Sequence, residues 1–244
     1  MKRFDGKTAI VTGGGTGIGL ATARRLIEDG AFVYIAGRRQ DVLDKAVAEL
    51  GPNARAIRMD VSDVREVDAA FETVKAEKGA LDIVVANAGG GALAPLGEIT
   101  EAQYETTFGA NVKGVIFTVQ AALPLMKAGG AIILTGSTTA VKGEPAFSIY
   151  SASKAAVRNL ARSWSQDLRG AGVRVNVVTP GPTRTDTVFD VLGDEAMDAL
   201  AAAVPLGRIA EPEETASVIA FLASGESSFM TGSEVYVDGG YAQV

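Results

Sequence analysis

The regular alternation of short apolar runs with longer amphipathic runs most restricts what this chain can fold into. Each apolar run has the length of a strand, and most are followed by a run with helical spacing. Strands that alternate with helices form βαβ units with right-handed crossovers, and therefore a parallel sheet. No linker, internal repeat or composition shift divides the chain, so residues 1–244 are predicted to form one domain. The predicted strands are residues 7–11, 32–36, 54–59, 81–86, 131–135, 173–179 and 234–237; the predicted helices include 41–50, 63–77, 101–127 and 211–224.

A glycine-rich turn, T-G-G-G-T-G-I-G at residues 12–19, joins the first predicted strand to the first helix. Glycine lets the backbone turn sharply and approach a ligand closely, and the start of a helix offers free N–H groups to a pyrophosphate. A glycine motif in this strand-to-helix context predicts a dinucleotide site. No Gly-Lys-Ser or Gly-Lys-Thr follows, which argues against a nucleoside-triphosphate loop.

The second predicted strand ends in Gly37-Arg38-Arg39. A site for NAD carries an acidic residue about 20 residues beyond the glycines, where it binds the ribose 2′-hydroxyl. Two guanidinium groups at that place suit a 2′-phosphate instead. The expected cofactor is NADP(H), with NAD(H) as the weaker alternative. The other interpretation is that both arginines are merely solvated residues before the next helix.

Tyr150 and Lys154 lie four residues apart at the start of a helical run and therefore share one helix face. A free tyrosine titrates near about 10, and a close ammonium favours its phenolate, so Tyr150 is a candidate general acid/base. The alternative is an ordinary amphipathic helix that carries Tyr and Lys at this spacing. The sequence contains no histidine and no cysteine, which excludes a Ser-His-Asp triad, thiol catalysis and a Cys/His metal site.

Candidate ligand-binding or catalytic residues follow six different predicted strands. Because the carboxyl ends of parallel strands share one edge, and ligands bind in the crevice there, these residues are expected to form a single site. They are the glycine-rich turn, Arg38, Asp60, Asn87, Ser137 and Pro180-Gly181.

Composition excludes several kinds of partner. The net charge of −6 is spread along the chain, which argues against nucleic acid. No uninterrupted run of apolar residues reaches the length of a membrane span. No apolar signal-peptide core precedes the first strand, so a cytoplasmic location is expected.

With these residues in view, nearly the whole chain resembles the short-chain dehydrogenase/reductase family. The family patterns T-G-x-x-x-G-x-G, N-A-G, Y-x-x-x-K and P-G-x-x-x-T match residues 12–19, 87–89, 150–154 and 180–185. The resemblance implies a doubly wound Rossmann fold, with a roughly seven-stranded parallel sheet and helices on both faces.

The resemblance also implies roles for individual residues. Tyr150 would protonate the substrate oxygen, Ser137 would hydrogen-bond to it, Lys154 would lower the Tyr150 pKa and bind the ribose, and Asn111 would hold a water linked to Lys154. Asp60 and Val61 would flank the adenine. The alternative for Asp60 is that it is the N-cap of a helix. Together with Tyr150 and Lys154, the implied cofactor-binding residues are Gly13, Thr16, Gly17, Ile18, Gly19, Arg38, Arg39, Asp60, Val61, Asn87, Gly89, Pro180, Gly181, Thr183 and Thr185.

Three functions remain open at this point. The first is an NADPH-dependent ketone reductase or secondary-alcohol dehydrogenase, the second a 3-oxoacyl-[acyl-carrier-protein] reductase, and the third a non-catalytic NADP-binding regulatory protein. Residues 186–205 interrupt the alternation and are predicted to form a substrate lid; apolar residues such as Phe189 and Leu192 suggest an uncharged carbonyl substrate. Family members are commonly homotetramers, so the same assembly is expected here.

Overall fold

The computed structural model describes residues 2–185 and 197–242. Seven strands form one sheet in the order β3-β2-β1-β4-β5-β6-β7, and every neighbouring pair is parallel. This confirms the predicted doubly wound fold. The strands are β1 (Thr8–Thr12), β2 (Phe32–Gly37), β3 (Ala54–Arg58), β4 (Leu81–Ala86), β5 (Met126–Thr135), β6 (Arg174–Pro180) and β7 (Glu234–Val237). The helices are α1 (Gly17–Glu28), α2 (Gln40–Leu50), α3 (Val64–Lys78), α4 (Glu101–Phe108), α5 (Gly114–Ala122), α6 (Ser148–Asp167) and α7 (Pro212–Ala223).

Two hydrophobic clusters cover the opposite faces of the sheet. Successive side chains along a strand point to opposite faces, so Ile10 of β1 belongs to one cluster, whereas Ala9 and Val11 belong to the other. Helices α3, α5 and α6 pack on the Ile10 face, and α1, α2 and α7 pack on the second face. Both faces are therefore buried, which explains why the strands read as continuous apolar runs.

The predicted helix at 101–127 ends earlier than expected, and β5 starts earlier than the predicted residue 131. Pro124 lies in a short 3-10 turn that ends the helical stretch, because proline has no N–H to continue the helical hydrogen bonds. Met126 already pairs with Leu81 of β4, and the register shifts before Ile83 pairs with Ala131. Glycines in this stretch hide the strand pattern, and only pairing with β4 makes it extended.

One helical stretch, Glu101–Leu125, is long and apolar enough to cross a membrane by length and composition. It is not an uninterrupted apolar run, because Glu105 and Lys113 lie within it. Here Val115 and Val119 are buried in the core cluster that covers the sheet. Packing against the sheet thus accounts for the buried part of this stretch.

Most of the predicted substrate lid, residues 186–196, lies outside the described residues. Of its remaining part, residues 197–203 are helical, and both Met197 and Val204 are buried.

Candidate active site

The glycine-rich turn leaves the start of α1 open to an anion. The Gly13 N–H donates to Ala36 O of β2 at 2.8 Å, which fixes the turn over the strand end. Gly13 and Gly17 both have positive φ, which favours glycine. Thr16 is the N-cap of α1 and forms no side-chain cap bond with residues that the structure describes, and the first turn of α1 carries no acidic residue. Its free N–H groups and dipole fit a pyrophosphate.

Gly19 is required for packing inside this turn. A Cβ built there would overlap the Gly13 carbonyl oxygen and lie 2.8 Å from Asn87 Nδ2. Gly19→Ala is therefore expected to lower the free energy of unfolding by about 1–3 kcal/mol, as overpacking does elsewhere. Chemical denaturation measures the change. Gly90→Ala is the control, because a Cβ there meets nothing within 4 Å; equal stability of the two variants would contradict the packing argument.

Asn87 joins the ends of three neighbouring strands. Its Nδ2 donates to Thr12 O at 3.1 Å, and its Oδ1 accepts from Thr135 Oγ1 at 3.4 Å. Thr12 Oγ1 in turn accepts from the Asn87 and Ala88 N–H groups, each at 3.0 Å. Thr12 begins the glycine motif, but the sequence did not predict this role for it. It fastens the Asn-Ala-Gly segment to the glycine-rich turn.

Ser137, Tyr150 and Lys154 come together beside the end of β5. Ser137 follows β5, and α6 carries Tyr150 and Lys154 on one face. The Ser137 hydroxyl lies near enough to Tyr150 to act on the pKa of the phenol, and its Oγ accepts from Thr139 Oγ1 at 3.0 Å. Lys154 Nζ donates to Thr135 O at 2.9 Å and lies 5.6 Å from the centroid of the Tyr150 ring. Thr135 is a partner that the sequence analysis missed, since a backbone carbonyl leaves no sequence signal.

The pKa of Tyr150 differs from the expectation that Lys154 would lower it. Burial raises the pKa of Tyr150, and the neighbouring Ser137 hydroxyl opposes this rise. Burial also lowers the pKa of Lys154 to about 8. Desolvation disfavours the charged form of both groups and is the largest cause of both pKa shifts. Tyr150 is therefore protonated at neutral pH and suited to donate a proton.

Asn111 lies in a π-helical turn, Gly109–Lys113, that separates α4 from α5. Such turns are frequent at functional sites. The buried Asn111 side chain accepts from Gly90 N at 2.9 Å and donates to Ser153 Oγ at 2.8 Å. A Cβ at Gly89 would lie 2.7 Å from Asn111 Oδ1 and 3.5 Å from Lys154 Nζ. The structure thus brings Asn111, Gly89 and Lys154 together, as expected, and adds Ser153.

The residues expected around the adenosine follow β2 and β3. Arg38 and Arg39 are exposed, and neither side chain has a described partner in residues 2–185 or 197–242. Asp60 accepts from Ser62 N at 2.9 Å and is not a helix N-cap; Asp63 caps α3 instead. Val61 buries its side chain in the first core cluster, so only its backbone is left to contact a ligand.

The segment after β6 crosses to the glycine-rich turn. Gly181 N donates to Val237 O at 3.0 Å, and a Cβ at Gly181 would lie 2.7 Å from Asp238 Cα. Thr183 Oγ1 donates to Gly181 O at 3.0 Å. A Cβ at Gly17 would lie 3.0 Å from Thr185 Cγ2. Pro180, Gly181, Thr183 and Thr185 therefore lie at the same sheet edge as the other predicted residues, and Ile18 packs beneath them against the second core cluster.

A surface cavity of about 550 Å³ lies at the opposite edge of the sheet, lined by residues that include Gly129, Leu168 and Arg174. None of its lining residues is a predicted site residue. We place the active site at the carboxyl edge, because the titratable and hydrogen-bonding groups converge there.

Comparisons with known proteins agree with this arrangement. Residues 13–242 match a family model described as enoyl-(acyl carrier protein) reductase. The chain is 55% identical to oxidoreductase asL5 of Sarocladium schorii, over 100% of this chain and 99% of that protein. It is 39% identical to the NADP-dependent (R)-specific alcohol dehydrogenase of Lentilactobacillus kefiri, over 98% of each chain.

Among solved structures, a short chain dehydrogenase/reductase family protein superposes with a TM-score of 0.90 at 41% identity, over 99% of this chain and 100% of the other. Sequence, fold and site geometry therefore lead to one conclusion. The chain belongs to the short-chain dehydrogenase/reductase family and is an oxidoreductase that acts on alcohol or carbonyl groups.

Proposed function

We propose that this chain is an NADP(H)-preferring ketone reductase or secondary-alcohol dehydrogenase in which Tyr150 is the general acid/base. The observation that carries the proposal is the convergence of Ser137, Tyr150 and the buried Lys154 beside the end of β5. Residues 1–244 would form one cofactor-binding and catalytic domain, which the single shared sheet supports.

The residues of the site divide the chemistry among them. The nicotinamide supplies or accepts the hydride when it is bound. In reduction, Tyr150 donates its phenolic proton to the substrate oxygen, and Ser137 hydrogen-bonds to that oxygen. Lys154 holds the ribose hydroxyls, and Asn111 holds a water that links Lys154 to solvent. In oxidation, the same groups return the proton in the reverse direction.

The glycine-rich turn and the uncapped start of α1 would hold the pyrophosphate through Gly13, Thr16, Gly17, Ile18 and Gly19. The same site would use Asp60 and Val61 toward the adenine, and Pro180, Gly181, Thr183 and Thr185 toward the nicotinamide amide. Asn87 and Gly89 would contact the cofactor between the glycine-rich turn and Lys154. The exposed Arg38 and Arg39 support a 2′-phosphate. The Lentilactobacillus kefiri relative is itself named NADP-dependent.

The proposed substrate is an uncharged, fairly apolar ketone or secondary alcohol. Leu93, Leu96 and Val141 expose apolar side chains on the loops beside the catalytic residues. Arg184, the cation after the Pro-Gly turn, forms an ion pair with Glu211 at 3.2 Å. Its charge is thus already balanced, which supports an uncharged substrate.

The direct test of activity is the oxidation of NADPH by the purified protein with a panel of prochiral, uncharged ketones, and with a 3-oxoacyl thioester as a second substrate class. Turnover of ketones is expected. No turnover of any ketone, together with tight NADPH binding, would instead favour a non-catalytic protein.

Cofactor preference gives a sharper prediction. Arg38→Ala is expected to raise the Michaelis constant for NADPH about tenfold or more and to leave that for NADH nearly unchanged, because a charge-assisted contact to the 2′-phosphate is lost. Arg39→Ala should have the smaller effect, since Arg38 comes first after Gly37. Inhibition by 2′-AMP compared with 5′-AMP checks the phosphate contact directly. Equal catalytic efficiency of the wild-type enzyme with both cofactors would show that Arg38 and Arg39 are only surface charges.

The proposal includes a cytoplasmic homotetramer. Tyr104 and Leu123 are exposed on the helical stretch that carries Asn111, and such apolar exposure supports an interface between copies. Light scattering of the purified protein measures the assembly.

A further inference from the structure

A segment near the C-terminus fastens the loop that joins the two catalytic hydroxyls. This loop, residues 141–147, runs from the short 3-10 turn after Ser137 to the start of α6, which carries Tyr150. The Tyr241 hydroxyl donates to Glu144 Oε1 at 2.6 Å. Lys142 Nζ donates to Tyr241 O at 3.1 Å and lies 3.6 Å from the centroid of the Tyr241 ring. We call Lys142, Glu144 and Tyr241 the Tyr241 clamp.

The clamp joins one buried tyrosine to two partly buried charged side chains. Only 7% of Tyr241 is exposed, although it directly follows the glycine pair at residues 239 and 240, just beyond β7. Burial raises the pKa of Tyr241 to about 12, and its hydrogen bond to Glu144 adds to the rise. The phenol therefore stays protonated and donates to Glu144 over the whole range in which the enzyme would be assayed.

The loop 141–147 also holds the neighbouring loop at residues 93–96, which forms the facing wall of the site. Ala146 has a φ of 66°, a conformation that is uncommon outside glycine and is kept only when its surroundings enforce it. In this conformation its carbonyl accepts from Ala94 N at 3.0 Å. Ala94 is a buried residue between the exposed Leu93 and Leu96 of the neighbouring loop. The position of the loop around Ala94 thus depends on the backbone of the loop 141–147.

The loop ends against the catalytic ring. Phe147 is the N-cap of α6, and its ring lies edge-on to the Tyr150 ring, with 6.2 Å between the centroids. A displacement of residues 141–147 would therefore move the apolar surface beside Tyr150, while Lys154 and the glycine-rich turn are held by separate contacts with β5 and β2.

We propose that Tyr241 is a positioning residue for substrate recognition: through Glu144 and Lys142 it sets the substrate-facing loop 141–147, and through Ala146 the facing wall at Ala94. The proposal rests on the proposed function, because it assigns the substrate to these loops. Tyr241 itself contacts no reacting group and acts through the loop. Its removal should alter substrate affinity and the facial selectivity of reduction, and leave cofactor binding intact.

The test compares Tyr241→Phe with the wild-type enzyme, using acetophenone and NADPH. The Michaelis constant for the ketone is expected to rise about fivefold to tenfold, the scale of one ordinary hydrogen bond acting indirectly through the loop, with kcat and the Michaelis constant for NADPH within about twofold. The enantiomeric excess of the alcohol product should fall, because a looser wall discriminates less between the two faces of the ketone.

Two matched comparisons separate positioning from stability. Glu144→Gln keeps an oxygen that accepts from the phenol and should behave like wild type, whereas Glu144→Ala should reproduce the effect of Tyr241→Phe. Tyr34→Phe removes a similar bond, 2.7 Å from Tyr34 to Glu77, at a buried site between the sheet and α3. It should lower the melting temperature and leave both ketone parameters unchanged.

The outcomes are distinct. Unchanged ketone affinity and enantiomeric excess in Tyr241→Phe, with only a lower melting temperature, would overturn the proposal and leave Tyr241 a structural residue. If Tyr241→Phe does not fold, the contrast between Glu144→Gln and Glu144→Ala decides the matter by the same readouts. If the wild-type enzyme reduces no ketone at all, it is the proposed function that fails, and this is seen before any variant is compared.

Discussion

Tyr150→Phe is expected to lower kcat for ketone reduction by about 10²–10⁴-fold, the usual contribution of a positioned general acid. No histidine or cysteine is present to replace it. Phenylalanine keeps the aromatic ring that packs against Phe147, so the fold and NADPH binding should be retained. Steady-state kinetics and cofactor-binding fluorescence measure the two effects.

The control for this substitution is Tyr104→Phe. Tyr104 is 43% exposed and stacks on Phe108 in α4, so the loss of its hydroxyl should change nothing at the active site. A Tyr150→Phe enzyme with substantial activity would remove Tyr150 from the proposed role.

The raised pKa of Tyr150 also predicts the pH dependence of the two directions. Because burial favours the protonated phenol, the acid needed for reduction is present at neutral pH and is lost as the pH rises through the folded-state pKa. Oxidation of the alcohol requires the phenolate, so its rate should rise toward alkaline pH. The pH profiles of kcat in both directions check this sign.

Lys154→Met is expected to lower kcat/KM by roughly 10²-fold, the scale seen when one preorganised donor is removed, and to raise the Michaelis constant for NADPH as well. Methionine keeps most of the buried stem and removes the ammonium that donates to Thr135. Unlike Tyr150→Phe, this change should therefore affect both catalysis and cofactor affinity.

The same substitution should change how stability depends on pH. The pKa of Lys154 is about 8 in the folded protein, against an ordinary value of 10.5. Below about 8, both states hold the proton, and the cost of burying the ammonium is fully present. Between about 8 and 10.5, the folded state releases the proton while the unfolded state keeps it, so the free energy of unfolding of the wild type should rise with pH, by about 3 kcal/mol at most.

Lys154→Met lacks this gain, so the difference in stability between the two proteins should change by that amount across the window. Urea denaturation of the cofactor-free proteins at several pH values measures it, and titrations of other groups cancel in the comparison. A difference that does not vary with pH would contradict the depressed pKa of Lys154.

Local pattern was enough to predict most of the fold. Each strand buried on both faces reads as an apolar run, and parallel pairing brings the ends of such strands to one edge. This is why Asn87, Ser137, Arg38 and the glycine-rich turn could be assigned to a common site before their distances were known. The Tyr150–Lys154 spacing likewise follows from helix geometry alone.

Other features are decided only by contacts between distant segments. The π-helical turn at Asn111 has nearly the same apolar spacing as the α-helix on either side, so the sequence shows one continuous helix there. The early start of β5 depends on pairing with β4, because the glycines at 129 and 130 carry no strand pattern.

The pKa shifts of Tyr150 and Lys154 and the Tyr241 clamp are also decided by contacts between distant segments. Helix spacing predicts that Lys154 lies near Tyr150, but not how much water surrounds the pair, and it is desolvation that sets the direction of both pKa shifts. Tyr241 and Glu144 are 97 residues apart, and nothing in either local pattern predicts their bond. Periodicity reports the conformation of one segment, whereas solvent exclusion and side-chain partners arise only when segments far apart in the chain pack together.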